Sequence, residues 1–282
     1  MAEAELTTTL TGGRARRWRP PPDVALAWGI TVAVLGLLVV LPLSAVVLTA
    51  RHAGLGGILR SVSSPIALAA LGLSFGGALV SAALNAVMGT VVAWTLVRYE
   101  FPGRALVNAV VDLPFALPTA VAGITLSELF SPRGWAGTLG LRFSYTPLGV
   151  LLAMTFVSLP FVVRAVQPVL EGVEREVEEA AASLGATPWQ TFTRVVLPSL
   201  RPAVLTGLAL SFARAIGEYG SVVIISGNIP MRTLTAPVLI FERLEQYDTV
   251  GATAVATVML VVSVATLLAV GLLQRWGRHD AA

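Results

Sequence analysis

"VEEAAASLGATPWQTFTRVVLP", residues Val177 to Pro198, is a polar, punctuated stretch inside an otherwise apolar chain. Glu171 to Leu184 is rich in glutamate and alanine, which favours a helix. Gly185 stands where a helix C-terminus takes a residue able to adopt a left-handed conformation. A glycine there spares the turn a Cβ, expected to obstruct it. Thr187 then suits an N-cap, Pro188 the first helical position, and Gln190 the third residue of a capping box. The stretch therefore reads as a helix, a tight turn and a second short helix, closed by Leu197-Pro198, which leads into the next apolar run.

The surroundings are those of a membrane protein. Of 282 residues, 55% are hydrophobic and 12% charged, with mean hydropathy +0.80, where a soluble domain carries about 25% charged residues. The chain has no cysteine, and His52 and His279 lie far apart, so disulfides, a thiolate or histidine metal site and a Ser-His-Asp triad are not expected. All nineteen basic residues are arginine. A Walker A motif needs a lysine, so any ATP driving this protein is hydrolysed on another chain. No catalytic residue, metal or cofactor is expected here.

Six spans follow from the apolar runs. The first, Val24 to Ala50, is uncharged and too long for a typical signal-peptide core. Ser61 to Val97 reads as an interfacial piece to about Leu71 and then a helix. The third, Ala105 to Phe130, holds Asp112, Pro114 and Pro118 and should bend. The fourth runs from Pro147 to Leu170, the fifth from Pro198 to Ser226, and the sixth from Thr249 to Leu273. Residues 1–22 read as an N-terminal tail, 23–274 as the transmembrane domain with its polar loop at 171–198, and 275–282 as a C-terminal tail. More arginines fall on the side of Arg14, Arg16, Arg17, Arg19, Arg98 and Arg104 than on that of Arg51, Arg60, Arg133 and Arg142. This bias puts both termini and the 171–198 loop in the cytoplasm. There, Trp189 and Phe192 on a rigid element suggest a docking surface.

The same stretch resembles the EAA signature of ABC importer permeases, through Glu179-Ala180-Ala181, Gly185, Val195 and Leu197-Pro198. The resemblance implies an all-α membrane permease of the type I (MetI-like) fold. Its coupling helix, here Glu179, Ala180, Ala181, Gly185, Thr187, Trp189, Leu197 and Pro198, would dock on an ATPase. Glu179 would pair with basic or N–H groups across that contact or within the turn. "LPFALPTAVAGITL" (113–126), "SFARAIGEYGSVVIISGNIPMRT" (211–233) and "LEQYDTVGATA" (244–254) look like the T-type permease of sulfate/thiosulfate importers. Molybdate or tungstate permeases share some of these themes. The resemblance implies a bacterial inner-membrane complex with a homologous W-type permease, two ATPase subunits that bind ATP and magnesium, and a sulfate-binding protein.

Arg214 and Glu218 sit four residues apart on one helix face. They read either as an anion path, with Ser211, Tyr219 and Ser221 as hydrogen-bond donors, or as an ion pair fixing helix packing. Asp112 is either path-lining or a partly solvated residue near a helix end. Asn228, Pro230 and Arg232 read as a binding-protein contact, an outer gate or a plain turn, and Glu242, Glu245 and Asp248 as a solvated face. A secondary transporter using Asp112 and Glu218 as ion sites is the rival reading.

Overall fold

The computed structural model describes residues 22–279, and the residues there are helical or in short connections. The tail arginines Arg14, Arg16, Arg17 and Arg19 lie outside them. The chain falls into two units, 1–48 and 49–282. The first holds α1 (Pro22–Leu35), a π turn (Gly36–Val40) and the start of α2 (Leu41–Val62). The second carries α3 (Pro65–Arg98), α4 (Arg104–Ala116), α5 (Thr119–Leu129), α6 (Trp135–Thr138), α7 (Pro147–Glu171) and α8 (Arg175–Ser183). After these come α9 (Pro188–Thr191), a π turn (Phe192–Val196), α10 (Leu197–Ile216), α11 (Gly220–Ile225), α12 (Ala236–Glu245) and α13 (Thr249–His279).

Helices α3, α7 and α10 form the centre of the second unit. Lipid tails are as apolar as leucine, so such helices hold together by close backbone approach and internal hydrogen bonds. Val162 of α7 shows the first device, because a Cβ on Gly89 would lie 2.8 Å from its Cβ and one on Gly207 2.8 Å from its Cα. Asn85 shows the second. Fully buried, its Nδ2 lies 3.0 Å from the Thr155 carbonyl, 2.9 Å from Ser158 Oγ and 3.1 Å from Ser211 Oγ, so its two N–H groups are shared among three acceptors and tie α3 to both neighbours.

Five helices among the described residues are long and apolar enough to cross a membrane, and the α4–α5 pair makes a sixth if its halves form one span. Five expectations need correction. Ser61 to Val97 is not an interfacial piece and a helix. Ser64 caps a single 34-residue α3, whose Ala67, Ala70 and Leu71 pack against Leu234, Ala236 and Leu239. At about 1.5 Å per residue this helix exceeds a bilayer core of about 30 Å, so its ends pack on protein. The third run does not merely bend, since α4 and α5 meet at 114° around Leu117-Pro118. The fifth run starts earlier than Pro198, because α9, the π turn and α10 form one continuous stretch from Pro188 to Ile216. It also ends earlier, breaking at Gly217 before α11. Leu197-Pro198 closes nothing: the helix runs on through Pro198 directly after the π turn Phe192–Val196, where the Leu197 N–H reaches back to the Phe192 carbonyl. The last helix runs on to His279, through the arginines assigned to the C-terminal tail.

Candidate functional site

The polar element has the turn its sequence implies. Glu171 to Leu184 is not one helix, because α7 stops at Glu171 and α8 restarts at Arg175. At its far end, Gly185 takes φ +85°, and the Ala186 N–H reaches the Ala181 carbonyl at 3.0 Å. The space around Gly185 is open, so the requirement there is the left-handed backbone and not a crowded Cβ. Thr187 Oγ1 accepts from Gln190 N at 3.3 Å, and Gln190 Oε1 accepts from Thr187 N at 2.8 Å, which completes the capping box.

This element is fastened to the end of α3. Arg98 Nη2 contacts Glu178 Oε1 at 2.7 Å and donates to the Val173 carbonyl at 2.9 Å. Trp94 meets Phe192 edge-on with centroids 5.1 Å apart. Phe192 is therefore half-buried, a structural anchor rather than an exposed docking residue. The outward apolar groups are Leu184 (90% exposed), Trp189 (72%) and Val177 (45%). Glu178 makes the inward pair, while the Glu179 carboxylate is exposed with no side-chain partner among the described residues. Ala180 and Ala181 supply carbonyls to the turn, to Leu184 N and Ala186 N.

Further along, Arg214 Nη1 reaches Glu218 Oε2 at 2.6 Å. Glu218 is 1% exposed, and its Oε1 accepts from Ser221 N at 2.9 Å and Ser221 Oγ at 2.7 Å. The carboxylate so replaces the backbone acceptors lost at the break between α10 and α11. The structure thus brings Arg214, Glu218 and Ser221 together. Ser211 is elsewhere, buried against Asn85, and Tyr219 packs on Phe241 at 5.4 Å.

Asp112 is engaged as well, and its partner, Arg164, was not among the sequence candidates. Nε of Arg164 donates to Asp112 Oδ1 at 2.8 Å, and Nη2 bonds Asp112 Oδ2. The available signal was a lone arginine inside the apolar run Pro147 to Leu170.

In the connection after α11, Asn228 is held at φ +53°, its Nδ2 donating to the Val223 carbonyl at 3.1 Å, while Pro230 and Arg232 are exposed. Asp248 is not simply solvated: it accepts from Gly251 N at 2.8 Å. Partial burial and then Glu245 push the Glu242 carboxyl above its ordinary value.

Residues 85–279 match the family described as binding-protein-dependent transport system inner membrane component. The chain is 51% identical over 263 residues to the sulfate transport system permease protein CysT of Synechocystis sp., covering 92% of each. It is 52% identical over 254 residues to that of Synechococcus elongatus, covering 89% of this chain and 91% of the relative. Among solved structures, a chain of a bacterial alginate ABC transporter in complex with an alginate-bound periplasmic protein superposes with TM-score 0.73 at 18% identity, over 90% of this chain and 94% of that one. A chain of the MetNI methionine ABC transporter superposes with TM-score 0.56 at 17% identity, over 73% and 93%. With its helical bundle and capped polar element, this chain belongs to the inner-membrane permease components of binding-protein-dependent ABC transporters.

Proposed function

We propose that this chain is the T-type permease of an ATP-driven importer of sulfate and thiosulfate. It works beside a W-type permease, two ATPase subunits and a sulfate-binding protein, with both termini and the α8–α9 element in the cytoplasm. The observation that carries this reading is the α8–α9 element. A capped turn pinned to α3 through Arg98 and Glu178 holds Leu184 and Trp189 outward, so a push on them is transmitted to the bundle rather than absorbed. Relatives over half identical, themselves sulfate permeases, support sulfate over molybdate. The partner ATPases would hold ATP and magnesium, and this chain would carry no catalytic group. The pairing of Asp112 with Arg164 and of Glu218 with Arg214 speaks against the ion-coupled alternative, since each acid already faces a cation.

The test is uptake of labelled sulfate by proteoliposomes holding the assembled complex, binding protein and ATP, with thiosulfate and molybdate as competitors. Sulfate uptake that needs ATP and yields to thiosulfate is expected. Uptake under an ion gradient with the ATPase omitted, or a preference for molybdate, would sink this reading.

A further inference from the structure

A cavity of about 640 Å³ opens between α4, α7 and α10, with Phe115, Phe161, Leu210, Ser199 and Thr206 on its walls and Arg164 as its cation. Arg164 lies seven residues before the end of α7, about 10 Å along the axis, in the half of the bundle that adjoins α8. Every N–H of its guanidinium is engaged, but in two distinct ways. Nη1 donates to the amide oxygens of Asn108 at 3.0 Å and Gln167 at 2.7 Å. The other edge, Nε and Nη2, is taken side-on by the Asp112 carboxylate, with Nη2 also reaching the Asn108 carbonyl at 3.2 Å.

We infer that the Nε–Nη2 edge of Arg164 is an oxyanion site on the permease, occupied in this conformation by Asp112 as an internal stand-in for the transported anion. A tetrahedral oxyanion presents two oxygens to a guanidinium fork much as a carboxylate does. Asn108 and Gln167 hold Nη1 independently of Asp112, so the fork stays aimed when the carboxylate leaves. Asp112 can leave, because its side chain is 45% exposed and that of Arg164 31% exposed. A half-exposed pair exchanges partners at less cost than a fully enclosed one. Exchange of one anion for another also keeps the grip weak enough for release, as a transport site requires. Asn108, one turn before Asp112 on α4, also ties Arg164 to that helix, so what a simple pin of α4 to α7 does not need is the open cavity that Arg164 lines.

The inference rests on the oxyanion-transport reading, and the experiment separates the two. Thermal unfolding of the purified complex, without binding protein or ATP, is followed against sodium sulfate with sodium chloride at matched ionic strength. Asp112→Asn frees the fork and should lower the half-saturating sulfate by about tenfold, the scale of one charge-assisted hydrogen bond. Arg164→Ala should abolish the sulfate response, and Arg164→Lys, which keeps charge without the fork, should weaken it. In uptake assays Asp112→Asn should slow turnover, through held anion. An identical sulfate response in wild type, Asp112→Asn and Arg164→Lys overturns the site even where wild-type complex imports sulfate. Should the wild type import molybdate instead, the same titration with molybdate decides the site while the sulfate reading falls. If Arg164→Ala fails to assemble, the Lys and Asn variants still decide.

Discussion

Arg98, the last residue of α3, holds Glu178 of α8 at 2.7 Å, while the adjacent Glu179 points away without a side-chain partner among the described residues. Two neighbouring carboxylates therefore have separable tasks. Glu178→Gln removes the partner of a largely buried guanidinium and should cost roughly 1–3 kcal/mol, read as a lower unfolding temperature of the complex. Glu179→Gln should leave that temperature unchanged and weaken co-purification with the ATPase. The opposite pattern would assign the fastening to the wrong carboxylate.

Gly185 needs its backbone conformation, not its small volume. With φ +85° and open space around it, Gly185→Ala should cost about 1–2 kcal/mol and Gly185→Asn less, since asparagine tolerates this region. ATPase capture by detergent-solubilised permease should follow the order Gly, Asn, Ala. Equal capture by all three would show that the turn tolerates rearrangement.

Glycines of α3 divide by what faces them. A Cβ on Gly89 meets Val162 at 2.8 Å, whereas one on Gly72 or Gly76 meets nothing. Gly89→Ala should therefore destabilise by about 1–3 kcal/mol through overpacking, and Gly207→Ala similarly, because its Cβ meets the Val162 backbone. Gly72→Ala and Gly76→Ala, at open positions within the helix, should instead stabilise slightly, by up to about 1 kcal/mol, in the same thermal assay.

Glu218 is buried with three donors, Arg214 Nη1 and the N–H and Oγ of Ser221. Arg214→Ala leaves a buried carboxylate uncompensated and should cost about 3 kcal/mol or more. Adding Glu218→Gln to it should recover part of that loss, because the remaining group is neutral and still accepts from Ser221. No loss in the single variant, together with altered sulfate uptake, would instead place Arg214 on the anion path.

Much of this protein was legible in residue order. The apolar runs mark the spans because a bilayer demands about twenty consecutive apolar residues. The α8–α9 turn was readable because its caps act within a few residues: Gly185, Thr187, Pro188 and Gln190 each satisfy groups nearby in sequence. Local physics also set Arg214 against Glu218, four residues apart on one helix.

Tertiary structure alone decided the rest. No local rule assigns Arg98 to Glu178 or Arg164 to Asp112, eighty and fifty-two residues apart, since those pairs exist only once helices dock. The 114° turn at Leu117-Pro118 is likewise a packing outcome: proline permits a bend, but the seating of α5 on α11, where Gly123 would place a Cβ 2.7 Å from the Ser221 carbonyl oxygen, fixes it. Sequence determines which segments enter the bilayer, because partition depends on composition. Which charges meet inside it depends on how the helices pack, and that only the folded bundle could show.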